Sequence, residues 1–282
     1  MGDPGIMPGG RGMMGIGGPV AAVREFESEI VAKRSVMDDA HLVDLSAPSG
    51  LVAAMRPGQF VEVLCRVDGS YDPLLRRPYS LYATDPANDR FTLLVRPYGR
   101  GSEWLGQQRP GATLDILGPL GNAFEIRPKS RHLLMVAGGV GAAPLVMLSQ
   151  RAVARGVAVT YLMGAMDAGG LLPASALPAA VEYLVATEDG SQGHRGYVTE
   201  LVADYIQWAD QIYSCGPEPM FRSLRQVVRQ HRVTREPRVW VSVERTMACG
   251  LGACLGCVVE TRRGMRTSCV DGPVFEMDDL LW

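Results

Sequence analysis

From about Val20 the chain alternates short apolar runs with turn residues. Phe60-Val61-Glu62-Val63-Leu64-Cys65, Tyr79-Ser80-Leu81-Tyr82, Phe91-Thr92-Leu93-Leu94-Val95 and Thr113-Leu114-Asp115-Ile116-Leu117 are parted by pairs such as Pro57-Gly58 and Pro110-Gly111. Many short strands punctuated this way predict a small antiparallel barrel. After Arg131 the rhythm changes: His132-Leu133-Leu134-Met135-Val136-Ala137, Val157-Ala158-Val159-Thr160-Tyr161-Leu162, Val181-Glu182-Tyr183-Leu184-Val185-Ala186 and Gln211-Ile212-Tyr213-Ser214-Cys215 read as strands. A helix is predicted from Pro144. Another begins at Pro219, with Met220, Phe221, Leu224, Val227 and Val228 at helical spacing. Strands alternating with helices predict a parallel sheet covered on both faces. The fold class is therefore α/β plus β, with a β-barrel over 19–128, an α/β domain over 129–238 and a small C-terminal module over 239–282. Residues 1–18, rich in Gly and Met, read as a disordered tail.

The 282 residues suit two domains with a small third. A formal net charge of -2 supplies no reason to expect nucleic acid or an acidic membrane as partner. Residues 133–150 form the longest uncharged run, but Gly138, Gly139, Gly141 and Pro144 break it, so a strand, turn and helix explain it better than a membrane span. With no leader pattern at the start, the chain is expected to be cytoplasmic.

Four of the six cysteines carry the clearest chemistry. Cys249, Cys254 and Cys257 read C-x4-C-x2-C, and Cys269 follows. This is the plant-type spacing for a [2Fe–2S] cluster, which needs four thiolates around two bridged irons. Structural zinc sites favour two separated C-x2-4-C pairs, and disulfide frameworks favour short secreted chains. Cys65 and Cys215 read as small buried hydrophobes. The histidines at 41, 132, 194 and 231 are scattered and receive no role, and no residue is assigned as a catalytic acid or base.

Two further sets of motifs precede the cysteines. In Arg77-Pro78-Tyr79-Ser80, an arginine fork for a pyrophosphate, an aromatic face and a hydroxyl lie on one strand. Downstream, residues 96–102 end a strand in a glycine turn, and Ser102 reads as the N-cap of a helix whose free N–H groups suit phosphate. A third glycine turn spans 118–124. In the α/β part, Gly138-Gly139-Val140-Gly141-Ala142-Ala143-Pro144, Thr187-Glu188-Asp189-Gly190-Ser191 and Cys215-Gly216-Pro217 each follow a strand, where nucleotides bind in open α/β sheets. Residues 163–170 hold no Arg or Lys to favour a 2′-phosphate, so NAD is expected over NADP. Asp167 is either a ribose acceptor or a solvated turn residue.

The barrel motifs resemble the flavin domain of the ferredoxin–NADP reductase superfamily. That resemblance implies FAD on Arg77, Pro78, Tyr79 and Ser80, its phosphates at Gly101 and Ser102, and its adenine side along Leu94, Val95 and Arg96. The same superfamily's G-G-x-G-x-x-P form implies a pyridine nucleotide at Gly138, Gly139, Gly141, Thr187, Asp189, Cys215, Gly216 and Pro217. With the runs 244–254 and 268–275 added, the chain resembles the electron-transfer subunits of B-type, NAD-linked dihydroorotate dehydrogenases. The resemblance implies a heterotetramer with an FMN-containing catalytic subunit. Electrons would pass through the cluster and FAD to NAD⁺, in pyrimidine biosynthesis. Related flavin and iron–sulfur subunits, of bifurcating ferredoxin–NADP oxidoreductases, sulfide dehydrogenases or sulfite reductases, share the build. The bifurcating form typically replaces one cluster cysteine by aspartate, whereas all four are cysteine here.

Overall fold

A computed structural model describes residues 23–67, 69–234 and 236–282; the expected tail at 1–18 lies outside them. Six strands close an antiparallel barrel: β1 (Arg24–Met37), β2 (Ala40–Ser46), β3 (Phe60–Val63), β4 (Arg77–Asp85), β5 (Arg90–Val95) and β6 (Thr113–Leu120). Their order is β1-β2-β5-β4-β3-β6, with β6 pairing back onto β1. Strand alternation sorts the two faces of β3. Val61 and Val63 join Ile30, Leu45, Leu81 and Leu93 inside the barrel. Phe60 and Glu62 point outward, toward the C-terminal part of the chain.

The second domain holds β7 (His132–Gly138), α2 (Ala142–Val153), β8 (Ala158–Ala165), β9 (Glu182–Thr187), β10 (His194–Arg195), β11 (Gln211–Cys215), α3 (Glu218–His231) and β12 (Arg238–Ser242); α1 (Arg100–Gln107) lies earlier, between β5 and β6. The seven-stranded sheet runs β10-β9-β8-β7-β11-β12-β15, where β15 (Val274–Glu276) is the one antiparallel member. The order in which the chain adds strands to the sheet reverses between the parallel neighbours β7 and β11, which makes that crevice the ligand position of a doubly wound fold. On one face α2 packs between the sheet and barrel strand β4. This double contact explains why Ala142 to Ser149 are all buried. On the other face α3 buries Phe221, Leu224 and Val228, with Met220 and Val227 packed beside them, as their spacing predicts.

The cysteine-bearing segment is stitched to both domains. It contributes the hairpin β13 (Val258–Thr261) and β14 (Gly264–Thr267), then β15 on the edge of the sheet. Cys257 and Cys269 form a small apolar cluster with Met247 and with Phe60 and Leu120 of the barrel.

Candidate functional site

The predicted flavin residues gather on one barrel wall. Arg77 and Tyr79 sit across from Val63 and Val61, while Pro78 and Ser80 sit across from Glu62 and Phe60. The Arg77 side chain crosses Gly101 so closely that a Cβ there would lie 3.1 Å from its Cγ and Nε. The arginine and the glycine turn are thus in direct contact. Arg77 Nη1 meanwhile donates to the carbonyls of Leu75 and Arg76, at 2.7 and 3.1 Å. The Tyr79 hydroxyl bonds the buried Cys65 thiol, which burial pushes up to about 12.

One expectation on this wall needs correcting. Ser102 is not the N-cap of α1: Gly99 is, and Ser102 is the third helical residue. Its Oγ accepts from the Tyr98 and Gly99 N–H groups at 3.0 and 3.1 Å, so it ties down the turn from inside. Leu94 and Val95 turn their side chains into the core, which leaves the backbone of that strand as the part an adenine could lie along. The side chain that reaches outward is Arg96, paired with Asp39 at 2.9 Å. Its Nη1 would lie 3.6 Å from a Cβ on Gly139.

At the reversal point of the sheet, the two nucleotide turns touch backbone to backbone. A Cβ on Gly141 would lie 2.4 Å from the Cys215 carbonyl oxygen and 2.7 Å from Gly216 N. A Cβ on Gly216 would lie 3.1 Å from Gly138 N, and one on Gly138 would lie 2.9 Å from Pro217. Only glycine permits this approach. The Cys215 thiol is buried and pushed well up by that burial, so it is no nucleophile. Thr187 Oγ1 closes the next turn, donating to Gln192 O at 2.8 Å and accepting its N–H at 3.0 Å. Asp189 stands exposed at the turn's tip, accepting from Ser191 N. Asp167 accepts from Gly170 N at 3.2 Å and so acts as a turn cap.

Cys249, Cys254 and Cys257 lie in one loop, Cys269 follows the β13–β14 hairpin, and each sulfur accepts a backbone N–H. Leu251 donates to Cys249 at 3.4 Å, Gly256 to Cys254 at 3.4 Å, Cys269 to Cys257 at 3.4 Å and Gly252 to Cys269 at 3.2 Å. Such donors suit thiolates, and four cysteines are the ligand set a [2Fe–2S] cluster takes, although no three metal-ligating side chains among the described residues are grouped as a metal site. The Cys249 thiol is drawn down to about 6 by the Cys254 and Leu251 N–H groups, whereas burial pushes Cys269 up to about 12. The loop is also polar in its orientation. Cys257 and Cys269 face the barrel, while Cys254 is exposed among Leu251, Leu255 and Val270, which are 54, 63 and 54% exposed. Leu255 adopts φ +56, which carries the chain between Cys254 and Cys257.

Sequence reasoning did not single out two carboxylates. Glu62 is buried with no hydrogen-bond partner on either oxygen. It lies beneath Gly250, whose Cβ would sit 3.1 Å from Glu62 Cγ. Burial raises its pKa to about 8, against the pull of Arg76. One signal was present: a lone acid inside the apolar run 60–65. Glu244 lines a cavity of about 140 Å³ with Gly216, Pro217, Phe221, Arg245 and Trp282, and the surrounding walls raise its pKa although its side chain reaches solvent. A groove of about 900 Å³ runs elsewhere between the domains, past Met37, Tyr82, Leu171 and Tyr183, and none of the predicted site residues lines it.

Comparison with known proteins agrees with this geometry. Residues 244–281 match the iron-sulfur cluster binding domain of dihydroorotate dehydrogenase B, and residues 27–124 match the oxidoreductase FAD-binding domain. The electron transfer subunit of dihydroorotate dehydrogenase B (NAD(+)) from Bacillus caldolyticus is 39% identical over 244 residues, spanning 84% of this chain and 92% of that protein. Its counterpart from Shouchella clausii is 37% identical over 259 residues, spanning 89% of this chain and 96% of that protein. Among solved structures, one of an NADH-dependent reduced ferredoxin-NADP oxidoreductase, described for flavin-based electron bifurcation, superposes with a TM-score of 0.79. It has 28% identity and 90% of each chain covered. The flavin wall, the glycine crevice, the four-thiol loop and this kinship over most of the chain lead to one conclusion: the chain belongs to the family of electron transfer subunits of dihydroorotate dehydrogenase B (NAD(+)).

Proposed function

We propose that this chain carries electrons from an FMN-containing dihydroorotate dehydrogenase catalytic subunit to NAD⁺, within a heterotetramer serving pyrimidine biosynthesis. A [2Fe–2S] cluster handles electrons singly and FAD joins that traffic to the two-electron nicotinamide. Cys249, Cys254, Cys257 and Cys269 hold the cluster. Arg77 and Gly101 cradle the FAD pyrophosphate, with Tyr79 and Ser80 beside the ring. Gly138, Gly139, Gly141, Gly216 and Pro217 admit the dinucleotide at the reversal point of the sheet. The working units are 19–128 for FAD, 129–238 for NAD and 239–282 for the cluster.

The observation that carries this reading is the orientation of the thiol loop. Its buried sulfurs lie against the barrel that bears the flavin motif, and its exposed sulfur sits in an apolar rim. A relay needs such polarity, with one end toward its own flavin and one end toward a partner. The four-cysteine ligand set also favours the dihydroorotate system over a bifurcating relative.

The test is reconstitution with and without the catalytic subunit. The chain alone should oxidise NADH with an artificial acceptor and leave dihydroorotate untouched. The complex should reduce NAD⁺ with dihydroorotate. Dihydroorotate oxidation by the chain alone would overturn the division of labour.

A further inference from the structure

The turn that leaves the barrel is bound to the segment that follows the last cysteine. Asn122 Nδ2 donates to the carbonyls of Asp271 and Val274, both at 2.9 Å, and its Oδ1 accepts from Val274 N at 2.9 Å. Its own N–H donates to Gly272 O at 2.6 Å. The amide therefore pairs with both backbone groups of Val274, as a neighbouring strand residue would. Gly121 makes the approach possible. At φ +74, a Cβ there would meet Pro273 Cδ at 2.5 Å and Phe60 Cε1 at 3.0 Å. Gln59 Nε2 holds the turn from the barrel side, donating to Gly121 O at 3.0 Å.

We propose that Asn122 is a positioning residue for electron passage between FAD and the cluster. It latches the stretch after Cys269 to the barrel and so fixes the separation of the two cofactors. The proposal rests on the cofactor placement given above. One-electron transfer rates fall steeply with distance, so slack at this joint slows that step. The side-chain partners of Asn122 all lie in 271–274, apart from the glycine turns at 138–141 and 216 proposed above to admit the nucleotide, and hydride exchange is proposed to take place at those turns. It does not depend on the latch. No residue type but Asn offers two donors and one acceptor on so short a stem: Asp loses the donors, and Ala loses both.

The experiment compares wild type, Asn122→Ala and Asn122→Asp as FAD- and cluster-loaded proteins, mixed anaerobically with NADH. Flavin bleaching and cluster reduction are followed separately, and amide exchange is measured over residues 269–275. The flavin phase should stay within about twofold of wild type. The cluster phase should slow at least tenfold in both the Ala and the Asp variant, about 1.4 kcal/mol of barrier, with faster exchange over 269–275. A wild-type cluster phase in fully loaded Asn122→Ala overturns the proposal, as does equal slowing of both phases. If the Ala variant fails to retain its cluster, the Asp variant decides by the same criteria. Failure of NADH to bleach the flavin of the wild-type protein refutes the cofactor placement instead, and the latch proposal with it.

Discussion

Glu62 makes the stability of the protein depend on pH in a direction opposite to most carboxylates. Its side chain is fully buried between β3 and the loop at Gly250, and both oxygens lack a partner. Burial lifts its pKa from 4.5 to about 8; Arg76 and Arg77 pull it down and Cys249 pushes it up. The folded protein therefore holds a proton that the unfolded chain releases near pH 4.5. Between those two values the native state binds more protons, so stability falls as pH rises. The lift from 4.5 to about 8 corresponds to roughly 3–5 kcal/mol once pH exceeds the folded value. Glu62→Gln keeps the shape and cannot ionise. Wild type and variant should melt together near pH 5 and separate steadily to pH 9, with the variant higher. At about 2 °C per kcal/mol for a chain of this size, the gap should reach roughly 6–10 °C. The assay is thermal unfolding by circular dichroism of both purified proteins across that range, read as the difference so that other titrating groups cancel. Melting curves that stay parallel from pH 5 to 9 would refute the argument, because they would mean that Glu62 is charged and satisfied throughout.

Cys254→Ser should abolish the iron–sulfur visible and paramagnetic signals while FAD content stays near stoichiometric, because thiols and flavin motif lie on different elements. Gly141→Ala places a methyl 2.4 Å from the Cys215 carbonyl. It should cost about 1–3 kcal/mol by overpacking and raise the KM for NADH in the artificial-acceptor assay. Unchanged melting and KM would show that the two turns do not meet as described. Arg77→Ala removes the fork above Gly101 and should weaken FAD binding at least tenfold, about 1.5–3 kcal/mol for a charge-assisted contact, measured by flavin release on ultrafiltration.

How much of this was legible in the sequence depended on how local the signal was. The cysteine spacing is local, and Gly252, inside the loop of the first three cysteines, donates to the fourth sulfur at Cys269. The strand runs 79–82, 91–95 and 113–117 fall on barrel strands and the run 60–65 opens one that ends at Val63, because short apolar runs between turn residues mark strands whichever faces they bury. The long strand β1 escaped notice. Its residues are mostly half-exposed and carry charges, and register shifts after Ile30 and Ser35 break the period of two. Residues 118–124 carry turn chemistry that read as a third flavin signal, yet Gly121 and Asn122 spend it on the cysteine segment. A glycine's tolerance of close approach is visible in sequence; what approaches it is a long-range fact. Ser102 shows the same limit at short range, since a serine before a helix and a serine in its first turn look alike until the bonds at Tyr98 and Gly99 are seen.

The placement of β15 has a consequence for solubility. The sheet ends on one side in β10, a two-residue strand of His194 and Arg195, too short and too charged to template another chain. On the other side the next strand inward is β12, Arg-Val-Trp-Val-Ser, whose free edge would be apolar and extended; β15 covers it along Trp240, Val241 and Ser242. That cover begins five residues beyond Cys269. Val274, its first residue, is also held by Asn122 of the barrel turn, so the edge stays covered as long as the cysteine segment stays joined to the barrel. The short link from Cys269 to β15 therefore ties the covering of an aggregation-prone edge to the order of the cysteine segment.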